Sequence, residues 1–87
     1  MLRKFLNSQI SYVYVTECHE ASPEEKIVID SHILESANMM PGEQVEVIHI
    51  DSGQAMPMIV AEARSESRAV VVYGSQARHI HIGDRLV

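Results

Sequence analysis

A thiol, several histidines and a lysine between acidic neighbours are the side chains of this sequence that could do chemistry. Cys18 is the sole cysteine, and His19 follows it. A thiolate and an imidazole can form a nucleophilic pair, but neighbours in sequence need not face each other. Reactivity also needs a lowered thiol pKa, so Cys18 is expected as an unreactive loop thiol. Lys26 could form a Schiff base if burial depressed its pKa. After Glu24-Glu25 it is expected instead as an exposed, paired lysine. Ser22 offers a hydroxyl, but Pro23 follows and acidic residues surround it, so it reads as a turn residue. His79 and His81 would share one face of a strand, as metal ligands do. Two histidines alone are too few, no acidic third ligand stands at an obvious spacing, and no metal is expected. His49 is expected as a satisfied polar residue on a sheet face.

The bulk composition narrows the setting. The chain has 87 residues, 46% hydrophobic and 22% charged, which fits one folded domain. A core this small is modest, so self-association would help. Formal net charge is −5, and the seven Lys and Arg are scattered. With no basic stripe, neither nucleic acid nor an anionic membrane is an expected partner. A single cysteine favours the cytosol. No apolar run approaches a membrane span, and the first residues do not read as a signal peptide.

The elements that must position these groups are mostly strands. Ile10 to Thr16 is β-branched and aromatic, and alternation sets Ile10, Tyr12 and Tyr14 opposite Ser11, Val13 and Val15. Residues 17–26 read as a loop, and Ile27-Val28-Ile29 as a buried strand. Asp30 or Ser31 can cap a short helix whose apolar face is Ile33, Leu34 and Ala37. Asn38 suits its left-handed end, and Pro41-Gly42 the centre of a type II turn. Further strands are expected at 45–50, 58–63 and 69–73, with an alternating run at 79–82 and a last short run at 85–87. Met39, Met40, Met56 and Met58 are expected as adaptable packing around the helix and a subunit contact. Short strands at this spacing with one helix predict a closed barrel.

The order of features resembles the L-aspartate α-decarboxylase family, pyruvoyl enzymes that make β-alanine. The matching pieces run nearly end to end. They are Met1-Leu2-Arg3, Val13-Tyr14-Val15-Thr16, Ile29-Asp30, Ser52-Gly53, Ser67-Arg68, Gly74 with its following small or polar residues, and Gly83-Asp84. The resemblance implies an all-β fold, a six-stranded double-psi β-barrel with one short helix, and a homotetramer with pockets between subunits. It also implies self-cleavage at a Gly-Ser bond, where the serine hydroxyl attacks the preceding carbonyl and a pyruvoyl group results. That group serves as an electron sink.

Aligned back from Ile29-Asp30, the Gly-Ser pair falls on Glu25 and Lys26, and neither side chain can perform the acyl shift. The family's substrate lysine falls on Gln9, its carboxylate-binding arginine on Ala55, its catalytic tyrosine on Ile59, and a processing asparagine on Tyr73. The backbone-donating segment persists as Gly74-Ser75-Gln76. Losing both cationic anchors removes the recognition a dicarboxylate needs. The resemblance also implies a longer final strand, so either Arg85-Leu86-Val87 closes the barrel or a partner completes it.

The expected protein is a family member without self-processing or a pyruvoyl cofactor. Gln9, Ala55, Ile59, Tyr73, Gly74, Ser75 and Gln76 would then line a remnant pocket reused for a less charged small molecule. Two alternatives stand beside it: an L-aspartate 1-decarboxylase whose processing site has moved, and a structural or regulatory subunit.

Overall fold

In a computed structural model that describes residues 2–3 and 13–86, the β-branched runs become short strands around one helix. The strands are β1 (Leu2–Arg3), β2 (Val13–Tyr14), β3 (Glu17–His19), β4 (Lys26–Asp30), β5 (Gln44–Ile48), β6 (Ala55–Ala63), β7 (Val70–Tyr73) and β8 (Arg85–Leu86). The helix α1 spans Ser31–Ser36, and a 3-10 helix spans Ser75–His79. The main sheet has six strands in the order β1-β5-β6-β4-β7-β3, and β2 pairs with β8 in a separate ribbon. No helix among the described residues is long and apolar enough to cross a membrane.

Backbone hydrogen bonds join the ribbon to both sides of the sheet. On one side the Thr16 N–H donates to the Val70 carbonyl at 2.8 Å, and the Thr16 hydroxyl also bonds Val70. On the other, His49 bridges Leu86 and the Ile50 N–H donates to the Arg85 carbonyl at 3.1 Å. The circuit β2-β8-β5-β6-β4-β7 is the small double-psi β-barrel that the resemblance implies. Its core holds Ile27, Ile29, Val47, Met56, Val72 and Leu86, all fully buried.

The local chemistry explains the helix. The Asp30 carboxylate accepts the His32 N–H and caps α1. Asn38 sits at φ 56° just beyond it. The Met39 and Asn38 N–H groups return to the Leu34 and Glu35 carbonyls, a Schellman closure sealed by the buried Leu34 and Met39. Gly42 takes φ 91° and the Glu43 N–H reaches the Met40 carbonyl, as a type II turn requires.

Three expectations change. Residues 17–26 are not all loop, because Glu17–His19 pairs in parallel with β7 and Lys26 begins β4. Polar side chains hid this edge strand, in which only Cys18 packs on the core. The 79–82 run is not a strand. The 3-10 helix carries His79, while His81 enters a turn closed by the Asp84 N–H on its carbonyl, so the two histidines share no strand face. The strand expected at 58–63 begins earlier, at Ala55, and runs through Pro57 beside β5. Val13 and Val15 are buried and Tyr14 exposed, as alternation requires. Ile10, Ser11 and Tyr12 lie outside the described residues.

Two carboxylates fasten the barrel. Burial pushes the Asp30 carboxyl upward, but N–H donation from Arg68, His32 and Glu66 outweighs it and leaves the group below its ordinary range. Asp84 is also held low, first by the His81 N–H and further by His49, against the opposing effect of burial. A depressed folded-state pKa gives stability that is complete above the unfolded carboxylate value near about 4 and is lost as pH falls through the folded value. Urea unfolding from pH 7 to 2 should therefore give a flat plateau above that value and a steep acid limb below it. Asp30→Asn should lower the plateau and shallow the limb.

Candidate functional site

Strand pairing brings side chains from five strands to one level. Along this row His19 of β3 pairs Tyr73 of β7, which pairs Lys26 of β4. Lys26 in turn pairs Ile59 of β6, which pairs Gln44 of β5. Side chains at one register level share a face. Here the face is open: Ile59 is 43% exposed, and Tyr73 and Lys26 are half-buried. The His19 ring stacks on Tyr73 with centroids 4.9 Å apart and planes 22° from parallel. The Lys26 ammonium lies 4.9 Å over the same ring, and its Nζ is 3.7 Å from Glu24. Such cation–π and exposed ion-pair contacts orient a lysine without binding it strongly.

Glu25, one residue before Lys26, reaches across to the segment after β7. Its Oε1 accepts the Ser75 N–H at 3.1 Å and the Ser75 hydroxyl at 2.9 Å. Gly74 is buried at φ 121°, and a Cβ there would collide with the Glu25 carboxyl. The backbone angle favours glycine, and a Cβ there would also have to displace the Glu25 carboxyl from its seat on Ser75. The Gly74 N–H donates to the His19 carbonyl at 3.1 Å, which ties the cradle to β3. Glu25 Oε2 and Gln76 Oε1 are buried with no hydrogen-bond donor among the described residues.

Ile59, Tyr73, Gly74, Ser75 and Gln76 therefore gather with Glu25 and Lys26 at one end of β4. Ala55 stands apart on β6, four residues or about 13 Å from Ile59 along the strand. Gln9 lies outside the described residues. Two adjoining grooves open at the other end of β4. One of about 490 Å³ is lined by Asp30, His32, Ile33, Glu66 and Arg68. The second, of about 320 Å³, runs past Val13, Tyr14 and Val70 and shares Ile33 and Arg68 with the first.

The remaining reactive groups have structural partners. Burial, aided by the Asp84 charge, pushes the Cys18 thiol up, and its Sγ donates to the Ile80 carbonyl at 3.3 Å. It is a protonated thiol at neutral pH. The Ser22 hydroxyl closes a turn with Glu24. His49 is buried between Ser52 and Asp84, at 2.8 Å from each. Sequence reasoning missed the Glu25–Ser75 contact and the His49–Asp84 contact. They join residues 50 and 35 positions apart, and no local pattern signals either.

Comparison with known proteins matches this architecture. The sequence pattern of the family described as "Aspartate decarboxylase" covers residues 1–87. Over 86 residues the chain is 34% identical to the aspartate 1-decarboxylase of Francisella tularensis subsp. holarctica, spanning 99% of this chain and 77% of that protein. It is 30% identical over 87 residues to the aspartate 1-decarboxylase of Listeria welshimeri, spanning all of this chain and 68% of that protein.

The cradle yields a double-mutant test. Gly74→Ala should destabilise the fold by roughly 1–3 kcal/mol through the collision and the backbone angle. Glu25→Gly in the same chain should recover part of that loss, because the collision partner is gone. Chemical denaturation of the two single variants and the double variant would show coupling, and strict additivity would contradict the contact.

Proposed function

Since this chain belongs to the aspartate decarboxylase family, we propose that it is a divergent member that stays uncleaved, carries no pyruvoyl group, and holds a small molecule less charged than aspartate. The observation that carries this reading is the Glu25 carboxylate seated on the Ser75 N–H and hydroxyl. A pyruvoyl group arises from a hydroxyl at the cleaved bond, and Glu25-Lys26 offers none. The Glu25 carbonyl instead accepts the Ile59 N–H at 3.4 Å, and Lys26 is paired on both sides within the sheet. These residues do not fit a pyruvoyl group.

The electrostatics favour a ligand unlike a dicarboxylate. Glu17, Glu24 and Glu25 surround the row, and Lys26 is already drawn toward Glu24. A second carboxylate would enter against like charge, and an unpaired buried one costs several kcal/mol. Glu25 Oε2 and Gln76 Oε1 are acceptors without donors among the described residues, so a ligand bearing N–H or O–H groups suits them. The Tyr73 and His19 rings give it an aromatic wall. The open row and the distance to Ala55 favour completion of the pocket by a second copy, in a homo-oligomer. The ligand is either bound unchanged or transformed by lyase-type chemistry that does not use a carbonyl cofactor.

The second reading is an aspartate 1-decarboxylase that forms β-alanine, and the names of the relatives at 30–34% identity favour it. Intact mass spectrometry of purified protein separates the two. The proposal expects one uncut species at 9.7 kDa and no β-alanine above background from aspartate. Two fragments, one with a keto-blocked N-terminus, together with β-alanine release, would establish the second reading instead.

A further inference from the structure

The end of β5 and the turn before β8 bring together nitrogen and oxygen donors away from the row around Lys26. His49 is only 6% exposed, with Nε2 at 2.8 Å from Asp84 Oδ2 and Nδ1 at 2.8 Å from Ser52 Oγ. One ligand atom each from His49, Asp51 and Asp84 all lie within 4.8 Å of one another. His81 brings its Nδ1 to 3.8 Å from the same Asp84 oxygen, and its side chain is 81% exposed and free to turn.

We propose that His49, Asp51 and Asp84, with His81 as a fourth donor, form a binding site for a divalent transition-metal ion, zinc being the best match. An imidazole and carboxylate set suits zinc, whereas magnesium and calcium prefer oxygen donors alone. The four residues come from two turns, so an ion would fasten the β5–β6 turn to the turn preceding β8.

His49 is oriented as a metal ligand should be. A ligating histidine usually donates its other ring N–H to a fixed acceptor, which sets tautomer and ring angle. Ser52 Oγ lies at Nδ1 where that acceptor is needed, leaving Nε2 to face the Asp84 carboxylate. In the metal-free chain Nε2 shares a hydrogen bond with Asp84 and Nδ1 shares one with the Ser52 hydroxyl. An ion on Nε2 requires that nitrogen to be unprotonated, any proton there leaving to solvent, with the ring proton on Nδ1 facing Ser52. The Ser52 oxygen then accepts from both Nδ1 and the Gln54 N–H, which a hydroxyl with two lone pairs can do. The Asp84 carboxylate is fixed in place by the His81 N–H at 2.8 Å and by His49 Nε2 at 2.8 Å.

The sequence alone points to no metal, because the spacing of His79 and His81 supplies no acidic partner. The fold separates that pair and gives His81 to Asp84, whose other neighbour, His49, is 35 residues distant.

Tag-free full-length protein, stripped with a chelator and titrated with zinc chloride, tests the site. Calorimetry and native mass spectrometry should show one zinc per chain with a Kd of about 1 µM or tighter. The melting temperature should rise with free zinc. Asp51→Asn and His81→Gln replace exposed side chains and should preserve the metal-free melting temperature while weakening zinc by about tenfold or more. Asp84→Asn should abolish binding. The absence of saturable binding below about 100 µM zinc would overturn the site. So would affinity that is equal in the parent chain, Asp51→Asn and His81→Gln, since that would place the ion on other exposed histidines.

Discussion

The Asp30 carboxylate is the fastening on which the barrel depends. It sits where the central strand β4 ends and α1 begins, and it is 2% exposed. Its oxygens accept N–H groups from His32, Glu66 and Arg68. One side chain thus caps the helix and holds the β6–β7 turn against the end of β4. The turn needs such a hold, because Glu66 and Arg68 adopt left-handed angles of 64° and 59° that side-chain-bearing residues rarely accept. A buried charge is tolerable only when its hydrogen bonds are supplied, and here the backbone supplies them.

At the opposite end of β4, strand register alone places the side chains of the open row. Lys26 lies between Ile59 and Tyr73 because β4 pairs with β6 on one side and β7 on the other. That register follows from the buried faces of Ile27, Ile29, Val60 and Val72 and does not depend on the residue that occupies the row. The scaffold therefore sets a carboxylate and an ammonium side by side at this end of β4. Glu25 accepts both the N–H and the hydroxyl of Ser75. The fold constrains where these side chains lie more than what they do.

His49 and Asp84 hold a third junction, where the ribbon β2–β8 meets β5. The same hydrogen bonds serve closure of the barrel and orientation of an imidazole. A polar pair buried at a seam is secure when both partners are satisfied, as both nitrogens of His49 are. The seam is short, since β2 and β8 each span two residues, so side-chain bonds there carry weight that longer ladders would bear elsewhere.

Local patterning determined much of this protein from sequence alone. Alternation grouped Val13 and Val15 on the face opposite Tyr14, and it is that face which the barrel buries. Asp30, Asn38 and Pro41-Gly42 marked a helix start, a helix end and a turn, because each acts on its own backbone within a few residues. The collinear motifs also led to the barrel family. Tertiary structure decided the rest. Polar β3 forms only because the edge of β7 offers it hydrogen bonds, and the alternating run around His79 coils because its alternation has no sheet partner to satisfy. The Glu25–Ser75, Asp30–Arg68 and His49–Asp84 contacts all join distant positions through a closed barrel. A sequence fixes what each residue prefers locally; which distant residue meets it is set by strand register and closure, and those belong to the whole chain.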